Sequence, residues 1–320
     1  MGFELETERV VKTILKRSAR RVLLQLPEGL KNRGISLAEE IQAKTKATVY
    51  VSADPCYGAC DLPVHEADVL DIDLIIHYGH TSYSTPRSEK IVYVEGRAKG
   101  GVAETVEKAI PLLQGYRNVG LVTTVQHIHH LSEVREMLTS RGFRVKLGKA
   151  GGHLRYDGQI LGCDCTTSER IRRDVDVYLY IGGGSFHPLG VMLATGKPVI
   201  AADPYLNRAT DMNDLGRTFL RRRQATIAKA AGAERLGIIV GMKTGQTNTR
   251  RAEELKRKLE KLGKTATLLC LREITPEALD NFLAIDAFVN TACPRVGVDD
   301  SMNYRKPILT LAEAQRLLEI

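Results

Sequence analysis

The chain has 320 residues, 43% hydrophobic and 26% charged, too long for one ordinary core and too apolar to be disordered. No apolar run approaches the length of a bilayer span and no basic-then-apolar leader follows Met1, which points to the cytoplasm, where six cysteines serve metal or catalytic roles rather than disulfides. The formal charge of +8 favours an acidic partner, while 5% aromatics and no tryptophan argue against a base-stacking RNA binder.

Residues 4–17 have helical spacing, with Val10, Val11, Ile14 and Leu15 on one face. Residues 21–26 form a strand ended by Pro27-Glu28-Gly29, residues 36–43 a helix, and residues 47–51 a buried strand. That strand is broken by Asp54-Pro55-Cys56-Tyr57-Gly58-Ala59-Cys60-Asp61. Strands at 70–77, stopped by Gly79-His80, and at 91–94 complete the first third. The second third repeats the order: helix 102–113, strand 118–122, helix 131–140, strand 143–147, the Gly162-Cys163-Asp164-Cys165 loop, strand 175–181 and strand 197–201. The last third repeats it again: helix 215–231, strand 236–240, helix 250–262, strand 266–271, strand 285–290 before Cys293, and strand 306–309.

The parallels extend to single residues. Arg20-Arg21, Arg117-Asn118 and Glu234-Arg235 precede the first strand of each third; Asp73, Asp176 and Asp286 open a later strand; Lys90, Lys197 and Lys306 precede the closing one. A repeat of alternating strands and helices calls for parallel sheets with helices on both faces, and their ligands bind beyond the carboxyl ends of the strands. The expected fold is therefore α/β, with three similar parallel-sheet domains over 1–98, 99–208 and 209–320, related by pseudo-threefold symmetry about a common centre.

The cysteine spacing fits no zinc ribbon, and proline at 63 breaks the C-x₃-C-x₂-C pattern of ordinary radical S-adenosylmethionine enzymes. Taken singly, each cysteine is more commonly a packed residue than a ligand. Taken with the repeat, Cys60, Cys163 and Cys293 supply one thiol per third, and three thiolates leave one iron of a 4Fe–4S cluster open to substrate. Cys270 falls in an apolar strand and is expected in the core. Cys56 and Cys165 are either spare ligands or small side chains in tight loops.

Gly182-Gly183-Gly184-Ser185 follows a strand and offers backbone N–H groups to a carboxylate or phosphate, although a plain glycine turn reads the same way. Gly241-Met242-Lys243-Thr244-Gly245-Gln246 lacks the spacing of a phosphate-binding P-loop. His77, His80, His127, His129, His130 and His187 gather at or just after strand ends, where acid–base or ligand roles compete with capping and packing. Asp299-Asp300 reads as a helix N-cap before Met302. Arg221-Arg222-Arg223 is either a docking patch or solvated surface.

Leu26-Pro27-Glu28-Gly29-Leu30, the Cys-Tyr-Gly-Ala-Cys core of 56–60, His77-Tyr78-Gly79-His80, Gly158-Gln159-Ile160-Leu161-Gly162-Cys163 and Val289-Asn290-Thr291-Ala292-Cys293-Pro294-Arg295 together resemble the archaeal diphthamide synthase iron–sulfur subunits, over essentially the whole chain. The resemblance implies a homodimer and a 4Fe–4S cluster on Cys60, Cys163 and Cys293. It also implies S-adenosylmethionine at the open iron and an electron donor. The reaction implied is reductive radical cleavage of the sulfur–γ-carbon bond. The 3-amino-3-carboxypropyl group then passes to the imidazole C2 of a histidine in translation elongation factor 2, the first step of diphthamide synthesis. Gly183, Gly184, Ser185 and His80 are the expected contacts to S-adenosylmethionine, with no direct nucleic-acid or membrane role. Two readings compete: a quinolinate-synthase-like 4Fe–4S dehydratase, and a non-catalytic RNA- or ribosome-binding protein with structural cysteines.

Overall fold

The computed structural model describes residues 2–82, 89–298 and 303–317. The Asp299-Asp300 cap lies outside them. Two compact units emerge, Met1–Met212 and Asn213–Ile320.

In the first unit, β1 (Gly2–Phe3) is a two-residue strand. Four further strands, β2 (Arg21–Gln25), β3 (Thr48–Val51), β4 (Leu74–Tyr78) and β5 (Ile91–Val94), make a parallel sheet in the order β3-β2-β4-β5. The two-residue β6 (Ala98–Lys99) runs antiparallel to β1. The side chains of β2 alternate between two cores. Val22 and Leu24 join Val10, Ile14, Leu37 and Ile41 from the helices Thr7–Lys16 and Gly34–Thr45, while Leu23 joins Ala67, Ile72 and Ile75 on the opposite face. Three expectations change here. Residues 47–51, apolar enough to read as a buried strand, form the edge strand β3 with both ends exposed. Residues 70–73 belong to a turn after the helix Val64–Val69, with Asp71 at φ 49°. Leu15 lies exposed beside the buried Val11 and Ile14.

A second sheet in the same unit contains β7 (Asn118–Thr123), β8 (Arg144–Lys146), β9 (Val177–Ile181), β10 (Val199–Asp203) and β11 (Arg208–Asp211), in the order β11-β10-β9-β7-β8. The first four are parallel; β11, which the sequence pattern did not announce, returns antiparallel on β10. It too is covered on both faces, by the clusters around Val106, Leu121 and Leu138 and around Tyr178, Leu189 and Val191. The loops after the two sheets bond to each other. Gln126 Nε2 donates to the Gly79 carbonyl at 2.6 Å, Gln159 Nε2 to Thr81 Oγ1 at 3.1 Å, and Tyr156 Oη to Glu95 Oε1 at 2.6 Å.

The unit Asn213–Ile320 carries β12 (Arg235–Gly241), β13 (Thr265–Leu271), β14 (Ala287–Asn290) and β15 (Ile308–Thr310), all parallel in the order β13-β12-β14-β15. Cys270 is a further correction to the sequence reading: β13 is an edge strand whose alternate side chains face water, and Cys270 is exposed. Arg223 of the Arg221-Arg222-Arg223 run is buried. It reaches Glu313 with Nε at 2.8 Å and donates to the Ile308 carbonyl at 2.9 Å, so one of the three arginines fixes the helix Asn213–Ala231 to β15.

The three parallel sheets share one wiring, in which the first strand lies between the second and the third. They also share a clamp at their amino edge. Asp73 Oδ2 accepts from the N–H groups of Arg20 and Arg21 at 2.7 and 2.9 Å; Asp176 from Arg117 and Asn118 at 3.1 and 2.8 Å; Asp286 from Glu234 and Arg235 at 3.0 and 2.8 Å. These bonds, led by Arg21, Asn118 and Arg235, hold each carboxyl below its ordinary range, helped by Lys90, Lys197 and Lys306 in turn. The sequence repeat is thus a hydrogen-bonding repeat. Mid-strand, Gly120 faces Tyr178 and Gly237 faces Phe288, where a Cβ would come within 2.5 and 2.7 Å of the ring; Leu23 and Ile75 occupy the matching pair in the first sheet. No helix among the described residues is long and apolar enough to cross a membrane.

Candidate functional site

In a sheet of this wiring the crevice opens where the chain reverses direction across the sheet, between the carboxyl ends of the first and third strands. In the first sheet that place is held by Gln25 and His77, register partners on β2 and β4. Gln25 Nε2 donates to the Asp61 carbonyl at 2.6 Å, which leaves its Oε1 to accept from His77 Nδ1 at 2.6 Å. His77 Nε2 then faces His80 Nδ1 at 3.0 Å. Burial depresses both imidazoles, His77 well below its ordinary value and His80 to about 4, so both are neutral near pH 7. The buried Cys56 joins them, with one ligand atom each of Cys56, His77 and His80 within 4.8 Å of one another. The sequence placed Cys56 in a loop and the histidines at a strand end, but nothing in the spacing tied them together. The same Gln25–Asp61 bond anchors the loop that carries Cys60, a half-buried thiol, and Asp61 N–H closes that loop on the Gly58 carbonyl at 3.0 Å.

Cys163 is held differently. Leu161 and Asp164 exchange backbone hydrogen bonds at 2.9 and 3.2 Å, making a tight hairpin with Gly162 and Cys163 at its tip and the thiol exposed. Gly162 has no room for a side chain: a Cβ would lie 1.7 Å from the Phe186 ring. Phe186 opens the helix Phe186–Thr195 directly after Gly182-Gly183-Gly184-Ser185, so the Cys163 hairpin and the glycine loop lie side by side. Gly182 and Gly184 take φ values of +149° and +75°, which favour glycine and account for the run. Behind Cys163, Asp164 fixes the strap before it, its Oδ2 accepting from His153 N at 2.8 Å. Cys165 turns into the core, where burial pushes its thiol up to about 12.

Among the remaining histidines, His127 is fully buried with Nε2 3.0 Å from the Tyr205 hydroxyl, and burial lowers it to about 4.

In the unit Asn213–Ile320, Cys293 follows β14. The Asn290 side chain accepts from Ala292 N at 3.0 Å and donates to the Cys293 carbonyl at 2.7 Å, while Thr291 Oγ1 donates to Ile239 O at 2.8 Å. The polar residues of Val289-Asn290-Thr291-Ala292-Cys293 are the brace of a turn that presents a half-buried thiol. Cys60 and Cys163 follow the second strand of their sheets and Cys293 follows the third, so the three thiols are not strict equivalents in the repeat. All three nevertheless stand at carboxyl edges.

All six cysteines are thiols. Cys60, Cys163 and Cys293 sit in braced loops and retain exposure; Cys165 is packed and Cys270 lies exposed within the edge strand β13. Thiolate donors on short, fixed turns suit an iron–sulfur cluster, and the first three residues fit that requirement.

Residues 26–319 match the family model of diphthamide synthesis proteins. A 2-(3-amino-3-carboxypropyl)histidine synthase of Pyrococcus horikoshii is 36% identical over 319 residues, 99% of this chain and 91% of the relative. Subunit 1 of the synthase from Schizosaccharomyces pombe is 31% identical, covering 100% of this chain and 74% of the relative. The crystal structure of Dph2 from Pyrococcus horikoshii with a 4Fe-4S cluster matches at a TM-score of 0.92 and 35% identity, covering 100% of this chain and 92% of that one.

Proposed function

This chain belongs to the diphthamide synthesis family, and from that premise we propose that it transfers the 3-amino-3-carboxypropyl group of S-adenosylmethionine to the imidazole C2 of a histidine in translation elongation factor 2. The enzyme is a transferase of the first step of diphthamide synthesis. The observation that carries this reading is the full-length match to a relative solved with its 4Fe-4S cluster. The reading also takes the chain as three repeats over 1–98, 99–208 and 209–320, acting as a homodimer in the cytoplasm with an external electron donor.

Cys60, Cys163 and Cys293 would hold the cluster. When bound, a 4Fe–4S cluster on three thiolates supplies one electron and an iron position open to the cosubstrate. The rest of the work falls to the chain. Gln25 and Asp61, the Leu161–Asp164 pair and Asn290 each fix one thiol-bearing turn, so each thiolate is presented on a braced loop. Gly183, Gly184 and Ser185 lie at the crevice of the second sheet beside the Cys163 hairpin, and their backbone N–H groups suit the carboxylate of S-adenosylmethionine. His80 Nδ1 faces His77 Nε2 at 3.0 Å and lies within 4.8 Å of a ligand atom of Cys56, and we assign it to that group rather than to the cosubstrate.

The test is anaerobic. The reconstituted protein is reduced with dithionite, S-adenosylmethionine is added alone, and products are separated by chromatography. Methylthioadenosine, absent with Cys60→Ala, is expected; 5′-deoxyadenosine, or no cleavage by an iron-loaded protein, would overturn the reading.

A further inference from the structure

We propose that Cys56, His77 and His80 form a mononuclear metal site, separate from the cluster thiols, that takes one zinc-class divalent cation. The three donors come from two elements, the loop after β3 and the end of β4, and lie within 4.8 Å of one another, with Cys56 and His77 buried and His80 half-buried. One thiolate and two imidazoles are the borderline-soft set that zinc and ferrous iron prefer.

The distances suit such an ion. Two nitrogens at zinc–nitrogen bonds of about 2.0–2.1 Å in a tetrahedral site stand roughly 3.3 Å apart. His77 Nε2 and His80 Nδ1 are 3.0 Å apart, so an ion entering between them parts them by only a few tenths of an ångström. The outer hydrogen bond is already in place. A metal-bound histidine ordinarily donates its other ring N–H to an oxygen acceptor, and His77 Nδ1 donates to Gln25 Oε1 at 2.6 Å. Gln25 cannot reverse, because its Nε2 serves the Asp61 carbonyl. The tautomer of His77 that leaves Nε2 bare toward Cys56 and His80 is therefore fixed by the fold. On binding, the proton shared between the two imidazoles stays on His80 at its other nitrogen, and the Cys56 thiol loses its proton to solvent. Three protein ligands leave a fourth position for water.

The site gives Cys56 a role of its own four residues before Cys60. An ion here ties the cysteine loop to β4, and the Gln25–Asp61 bond passes that constraint to the turn bearing Cys60.

The experiment separates this site from the transferase reading by removing the cluster thiols. Full-length protein with Cys60, Cys163 and Cys293 all changed to serine is titrated anaerobically with Co²⁺. Expected are one equivalent bound, a thiolate-to-cobalt charge-transfer band with tetrahedral ligand-field bands, and displacement by Zn²⁺. Adding Cys56→Ser removes the charge-transfer band, and His80→Ala weakens binding by at least about 10-fold. No thiolate–cobalt band in the parent, or one that survives Cys56→Ser, overturns the proposal. Should the triple variant fail to fold, elemental analysis of cluster-loaded wild-type protein exposed to Zn²⁺ decides. One zinc per chain that His80→Ala loses is the expected result; no retained zinc, or zinc that His80→Ala keeps, contradicts it.

Discussion

The amino and carboxyl edges of the three parallel sheets differ in what they repeat. At the amino edge the sheets are near copies: an aspartate before the third strand accepts two N–H groups at the start of the first, and a lysine ahead of the fourth strand supports it. At the carboxyl edge nothing is copied. The first sheet carries Gln25, His77 and the Cys56–Cys60 loop, the second a hairpin tip and a glycine loop, and the third an asparagine-braced turn. The shared edge closes each sheet, and the divergent one carries the chemistry.

Substitutions at the carboxyl edge and in the shared scaffold should accordingly fail in different ways. Gly162→Ala, which sets a methyl group against Phe186, displaces the Cys163 hairpin. It should lower methylthioadenosine formation on the order of 100-fold while the circular dichroism spectrum is retained. Gly120→Ala, a scaffold change against Tyr178, should cost about 1–3 kcal/mol in denaturant unfolding, with activity per folded molecule unchanged. If Gly120→Ala instead reduced activity without loss of stability, the division between scaffold and carboxyl edge would be wrong.

Smaller effects sharpen the contrast. Cys165→Ala leaves a small cavity worth about 1 kcal/mol and should keep its full iron content, because the thiol it removes is packed and protonated. Asp73→Asn should cost about 1 kcal/mol, less than a buried charged hydrogen bond because the carboxylate faces water. Its folded-state pKa lies below the ordinary value of 3.8, so its contribution is complete above that pH and is lost as pH falls through the folded value. The stability deficit of the variant should therefore be present at pH 7 and vanish in acid. Cys270→Ala, on the outer face of an edge strand, should change stability by less than about 0.5 kcal/mol and leave activity intact.

Much of this was legible in the chain. The strand order follows from apolar runs that recur with Asp73, Asp176 and Asp286, and the cysteine loops from Gly and Pro after those runs. What escaped the sequence was lateral position. Thr48–Val51 and Thr265–Leu271 are as apolar as central strands, yet both lie at edges, so Cys270 meets water. Arg208–Asp211 is too polar to look like a strand and exists because Val199–Asp203 offers it a free edge. Arg223 reads as surface until its partner, ninety residues on, is known. The grouping of Cys56 with His77 and His80 depends on strand pairing between β2, β3 and β4, which no local spacing encodes.

The most direct measurement is iron and sulfide per chain after anaerobic reconstitution of six single cysteine-to-alanine variants. The account predicts that Cys60→Ala, Cys163→Ala and Cys293→Ala lose the cluster while Cys56→Ala, Cys165→Ala and Cys270→Ala retain it. Retention by any of the first three, or loss in Cys165→Ala with the fold intact, would contradict it.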